Sequence, residues 1–251
     1  MPATPAWPPK SAPRLFVATA LGEGLSVTLD GSHAHYLGKV MRVQVGDAVI
    51  LCDDLTGEWA SKVASVDKRR VVLTLAERLR PREEVPDLWL CPALLKKDRF
   101  DLVLEKASEL GAAQIQPVVT RRCVADKLNM DRARTLTIEA AEQCARTALP
   151  DLGEPVKLDA LLRDWPGDRT LFFADEEGGE PAASAFCAAS GPAALLIGPE
   201  GGFDDAERAL IRAHPQARAI SLGPRILRGE TAAISALSVW MVVSGDWSNV
   251  E

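Results

Sequence analysis

Long apolar runs are missing from this sequence. The apolar stretch 232–243 contains Ser235 and Ser238 and falls well short of the roughly 20 residues that cross a bilayer, so no membrane span is expected. Histidine is scarce, and the five cysteines (Cys52, Cys91, Cys123, Cys144, Cys187) form an odd, widely spaced set without a C-x-x-C pair. Neither a disulfide framework nor a zinc site is indicated, and a reducing, cytoplasmic setting fits best. The first thirteen residues, MPATPAWPPKSAP, lack the apolar stretch of a secretory signal; their five prolines make them a loose extension.

What is there is enough apolar material for one sizeable core or two modest ones: 251 residues, 47% hydrophobic. A fibre and a disordered tail are excluded. The net charge of −6 argues against a generic nucleic-acid coat, but it is unevenly spread: residues 1–82 total +3 and residues 83–251 total −9. Residues 14–80 show short β-favouring runs (RLFVA, LSVTL, DAVILCDD, WASKVASV, RVVLTLAERL), which predict a small β-barrel with one helical insert near HAHYLGKVMRV. The two prolines and alternating charges of RPREEVP (80–86) predict a linker.

Beyond it, apolar strands (LWLCPAL, AQIQPVV, TLFFA, ALLIG, ARAISLG) alternate with helical periods, the sequence form of an open α/β sheet. Helices are expected over 98–110, with Gly111 as a left-handed stop, and over 131–148. A third begins at Asp204 with Glu207 as a capping box, and the last runs from 231 to 243. That last helix is apolar nearly all round, which places it in the core or in a subunit interface.

The most informative stretch is LLIGPEGGF (195–203), a strand entering a glycine-rich turn that leads to a capped helix. Such a turn lets a ligand approach the backbone, although a tight strand-to-helix connection needs no ligand. It has neither the phosphate-loop nor the dinucleotide-binding glycine pattern. A second turn, SLGPRILRGET (221–231), follows the next strand. Two glycine-bearing loops at the carboxyl ends of parallel strands, with Glu200, Arg228 and Glu230 beside them, point to one shared site. Two carboxylates and a cation suggest proton handling and anion stabilisation without a metal.

The pieces ELGAAQIQPVVTRR, EAAEQCAR, IGPEGGF and LGPRILRGETA, in that order, together with Arg14-Leu15-Phe16, His35-Tyr36-Leu37, Val40-Met41-Arg42 and Gly46-Asp47, resemble the ribosomal RNA small subunit methyltransferase E family. The resemblance spans residues 14 to about 245. It implies a PUA-like β-barrel that binds RNA (14–82) and a SPOUT-class α/β domain with a trefoil knot (83–251). It also implies S-adenosylmethionine as methyl donor, a homodimer, and methylation of uridine N3 in 16S rRNA, expected within the assembled small subunit. Cofactor contacts carried over on the matching loops are Phe173, Ile197, Gly198, Pro199, Gly201, Gly202, Leu222, Gly223, Ile226 and Leu227. Cys144-Ala145 stands where the family usually has Ser-Gly, and Gly229 where threonine is common.

Arg228 is expected to stabilise the uracil anion. Glu200 is either a base or a carboxylate that accepts backbone N–H bonds in its turn, and Glu230, at a helix start, is favoured there by the dipole alone. Arg14, Phe16, His35, Arg42, Arg69 and Arg70 are candidate RNA contacts, with Arg14 foremost. His33 and His35 lack a third ligand nearby, so no metal is expected. A non-catalytic RNA-binding protein of the same fold, or a SPOUT methyltransferase acting on another RNA, stays open at this level.

Overall fold

The computed structural model describes residues 7–249 and divides into two compact units. The first comprises the chain through Glu84 together with Ala141–Leu149; the second comprises Val85–Ala140 and the chain from Pro150 onward.

In the first unit, β1 (Arg14–Phe16), β2 (Ser26–Leu29), β3 (Ala48–Asp53), β4 (Gly57–Val66) and β5 (Val71–Arg80) form one sheet in the order β1-β3-β4-β5-β2. Only β1 pairs in parallel; the other neighbours are antiparallel. Leu15, Val49, Leu51, Val63, Leu73 and Leu75 bury one apolar cluster. The helical insert is α1 (Gly31–His35) continuing into the wider π-turns of Tyr36–Met41. Leu37 is buried in the cluster, while Tyr36, Val40 and Met41 stay exposed. A π-turn advances more residues per revolution than an α-turn, so Val40 and Met41 rotate off the face that an α-helical spacing assigns them.

The expected linker is tied down on the first unit. Arg82 Nε donates to Asp54 Oδ1 at 3.0 Å, and Glu83 Oε1 accepts from the Thr147 and Ala148 amides at 2.6 and 3.1 Å. Residues 141–149, expected with the α/β domain, pack here instead. Glu142 accepts the Phe16 amide at 2.7 Å and Ala145 O accepts from Arg80 at 2.6 Å. Ala145 has φ 61°, a left-handed conformation that costs an L-residue with a Cβ. Ala145→Gly is therefore expected to stabilise the protein by about 0.5–1 kcal/mol, the left-handed penalty less glycine's entropy. Chemical denaturation checks this, and an unchanged midpoint would refute it.

The second unit is a seven-stranded parallel sheet. Its strands are β6 (Leu88–Pro92), β7 (Gln114–Ile115), β9 (Asp151–Leu152), β11 (Thr170–Ala174), β12 (Glu180–Pro181), β13 (Ala193–Ile197) and β14 (Ala217–Ser221). Their order is β12-β14-β11-β13-β6-β7-β9; β8 (Val118–Val119) and β10 (Val156–Lys157) pair separately. Strand alternation sends Phe172, Leu195 and Ile197 into one core with α2 (Lys97–Glu109) and α7 (Gly229–Val243). Leu171, Phe173 and Leu196 go into another with α4 (Leu158–Arg163) and α6 (Asp205–Ala213). Both faces are covered, which is why these strands read as unbroken apolar runs. The remaining helices are α3 (Met130–Cys144), whose first turn is capped by Asn129 Oδ1 on the Arg132 amide at 3.0 Å, and α5 (Ala182–Cys187). Among the described residues no helix is long and apolar enough to cross a membrane. Burial pushes the Cys52 and Cys91 thiols up to about 12, so both are inert fillers.

Candidate active site

The strand order sets β11 between β14 and β13, so the loops leaving their carboxyl ends converge. They enclose a cavity of about 240 Å³ with the start of α7. Of the expected cofactor contacts, Ile197, Gly198, Pro199, Gly202, Leu222, Gly223, Ile226 and Leu227 line it. Two do not. Phe173 is 1% exposed and turned into the α4–α6 core, because alternation along β11 leaves only the following residues, Ala174 and Asp175, at the cavity. Gly201 faces Arg122 instead, and its carbonyl accepts from Arg122 Nη1 at 2.8 Å.

Arg122 also donates to Phe203 O at 3.2 Å, and the neighbouring Arg121 amide donates to Glu207 at 2.8 Å. This arginine pair buckles the glycine loop to the start of α6, where Asp204 and Glu207 form the expected capping box. Hydrogen bonds from the Glu207 amide and Arg121 hold the Asp204 carboxyl below its ordinary value. At the polar end of the cavity, the buried Asp175 carboxylate holds Arg208 and Arg212, and Arg208 also reaches Glu176 and Glu177.

Glu200 and Glu230 do not line the cavity themselves; each is next in sequence to a lining residue, Pro199 and Gly229. Their cation is Arg99, from the first turn of α2, with Nη1 3.4 Å from Glu200 and Nε 3.8 Å from Glu230. Arg228 is the N-cap residue of α7; it is exposed and makes no ion pair among the described residues. Arg99 and Arg122 are the site residues that the sequence reading did not single out. Their partners lie far away along the chain, although Arg122 stands in the TRR piece of the family pattern.

In the first unit, Arg14 is committed to the buried Glu58 carboxylate alongside Arg80, and Phe16 is 4% exposed. Phe16 presents no surface to RNA, while Arg14 keeps 23% of its side chain exposed. His35, Arg42, Arg69 and Arg70 are exposed, the last two in the turn between β4 and β5. Among the described residues no His, Cys, Asp and Glu group is arranged to hold a metal.

Residues 82–241 match the profile of an RNA methyltransferase domain, and residues 29–76 that of an RNA methyltransferase PUA domain. This chain belongs to the ribosomal RNA small subunit methyltransferase E family. The relative from Synechocystis is 32% identical over 90% of this chain and 76% of its own; the one from Bacillus subtilis is 30% identical over 86% and 90%. The crystal structure of the Neisseria gonorrhoeae family member, bound to S-adenosylmethionine, is 26% identical, with a TM-score of 0.86 over 94% of this chain and 99% of that one. Membership of the family accounts for the pairing of an RNA methyltransferase domain with a PUA domain in one chain.

Proposed function

We propose that this protein uses S-adenosylmethionine to methylate N3 of a uridine in 16S rRNA of the small ribosomal subunit, in the cytoplasm and as a homodimer. The observation that supports this most is the convergence of three loops on one cavity, with Arg99 pairing Glu200 and Glu230, the neighbours in sequence of two lining residues. The cavity walls suit the cofactor: Ile197, Leu222, Ile226 and Leu227 offer apolar surface to a purine, and the loop main chains offer hydrogen-bonding edges. When bound, S-adenosylmethionine supplies an electrophilic methyl group on a sulfonium sulfur.

The rest falls to the protein. Uracil N3 lies between two carbonyls and becomes a good nucleophile only after losing its proton, so the site must supply a base and a donor for the charge that spreads onto the oxygens. Arg228, at the N-cap of α7, is the candidate donor, and Glu200 and Glu230 are the candidate acceptors. N3 is on the pairing edge, so the nucleotide must enter unpaired or flipped. The exposed His35, Arg42, Arg69 and Arg70 of the PUA unit are the candidate RNA contacts. The SPOUT knot belongs to the same proposal. It is supported by α7 starting against Leu95 and Gly198, which brings the chain's last helix beside the segments after β6 and β13. The exposed Val242 and half-buried Ile234 and Val239 of α7 support the dimer.

Nucleoside analysis of 16S rRNA from a deletion strain, with and without the gene restored, tests the reaction: 3-methyluridine should vanish and return. Its persistence would refute the proposal. Gly223 tests the cofactor site. With φ 113°, it holds a conformation that side chains rarely adopt, and a Cβ there meets nothing within 4 Å, so a substitution acts by straining the loop. Gly223→Val is expected to weaken cofactor binding by about 10-fold or more, as 1–3 kcal/mol of backbone strain implies. Unchanged calorimetric affinity would reject this pocket.

A further inference from the structure

We propose that Arg99 is a positioning residue of this site, which gathers Glu200 and Glu230 and leaves Glu230 Oε2 as the proton acceptor for uracil N3. The proposal rests on the uridine-N3 reading above.

Arg99 lies off the buried stripe of α2 (Phe100, Val103, Leu104, Ala107), and its side chain keeps 31% exposure. It reaches two carboxylates that come from different cavity loops, using separate nitrogens for each. Brought together without a cation, two carboxylates disfavour each other's charged form; a guanidinium between them lets both stay ionised. The planar fork also fixes which oxygen faces which way.

Glu230 is the more enclosed of the pair, its side chain 12% exposed against 24% for Glu200. Arg99 lies on its Oε1 side, while Oε2 is buried and has no hydrogen-bond partner among the described residues. A buried carboxylate oxygen without a donor is costly, and such exceptions ask for a donor in the working complex. The charged groups around it are Arg99 from α2, Glu200 from the glycine loop and Arg228 at the N-cap of its own helix. None of them donates to Oε2. The imide N3–H of uracil is a donor of the right kind. Its proton passes to Oε2, giving a neutral acid. The electron pair left on N3 forms the bond to the incoming methyl carbon, and the pair of the broken C–S bond stays on sulfur as a neutral thioether. Glu230 then returns its proton to water.

The test compares wild type, Arg99→Ala, Arg99→Lys, Glu230→Gln and the Arg99→Ala/Glu230→Gln double variant. Single-turnover rates are measured on purified small subunits, with cofactor affinity followed by calorimetry. Glu230→Gln should lower the rate by about 10²-fold, the scale of a lost general base. Arg99→Ala should lower it by about 10-fold or more, through misplacement of that base. Cofactor affinity should hold, Arg99→Lys should recover part of the rate, and the double variant should be no slower than Glu230→Gln alone. In the ligand-free protein, the Glu230 carboxyl ¹³C resonance, identified by its loss in Glu230→Gln, should move in Arg99→Ala. The proposal is overturned if the two losses multiply, if Arg99→Ala keeps the wild-type rate, or if it loses cofactor affinity in step with rate. Should Arg99→Ala not fold, Arg99→Lys and its double variant give the same comparison. Wild type that leaves N3 unmethylated would instead sink the uridine reading, and the proposal with it.

Discussion

Arg228→Ala is expected to lower turnover by about 10²-fold or more, the scale of losing one transition-state donor, while cofactor affinity changes little. The residue lines no part of the cavity and pairs with no carboxylate among the described residues, so its removal leaves the loops intact and takes away only an available guanidinium. Arg228→Lys keeps the charge but loses the planar fork, and should fall between wild type and alanine. Raising the pH should partly rescue the alanine variant, because solvent hydroxide then helps remove the N3 proton. Single-turnover rates across a pH series decide the matter. A near-wild-type rate in Arg228→Ala would move anion stabilisation to the backbone amides.

The second large effect is on folding. Glu58 is almost fully buried and holds both Arg14 and Arg80. Burial alone would raise its carboxyl, but the hydrogen bonds from Arg80 and Arg14 outweigh that and hold it below the ordinary glutamate value. Glu58→Gln should cost about 3 kcal/mol, near the low end for breaking a buried ion pair because both arginines keep some water. The pH dependence has a definite sign. A depressed folded value means that the contribution is complete above the ordinary value of 4.5 and is lost as the pH falls through the folded one. The gap between wild type and Glu58→Gln in urea unfolding should therefore be widest near neutrality and close in acid. A gap independent of pH would show that the ionised carboxylate is not what holds this end of the sheet.

Most elements were legible because their signals are local. The runs RLFVA to RVVLTLAERL became β1 to β5, and Asp204 with Glu207 capped α6 as their spacing requires. Two of the misses involve partners distant in sequence. The pairing of Arg14 was not legible because Glu58 lies 44 residues away. Arg99 went unnoticed because Glu200 lies 101 residues on. Phe173 was misplaced because TLFFA, buried on both faces, has no polar residue to say which aromatic ring points where. Residues 141–149 were assigned to the wrong unit because the hydrophobic period of α3 runs on to Cys144 without a change in composition.

That last segment has a consequence for biosynthesis. The first unit is not a contiguous stretch of chain: Glu142, Ala145, Thr147 and Leu149 answer polar groups at Phe16, Arg80, Glu83 and Asp54. A nascent polypeptide that has emerged only as far as Glu84 still lacks these partners, and a good part of the next domain must be translated before they arrive. The hydrogen bonding of the amino-terminal sheet is thus completed only by a downstream segment, unlike a first domain that is contiguous in the chain and has all its partners once it has emerged. A polypeptide cut at the apparent linker would inherit the same deficit permanently, with the Glu83 carboxylate facing no amide and the Phe16 amide facing no carboxylate.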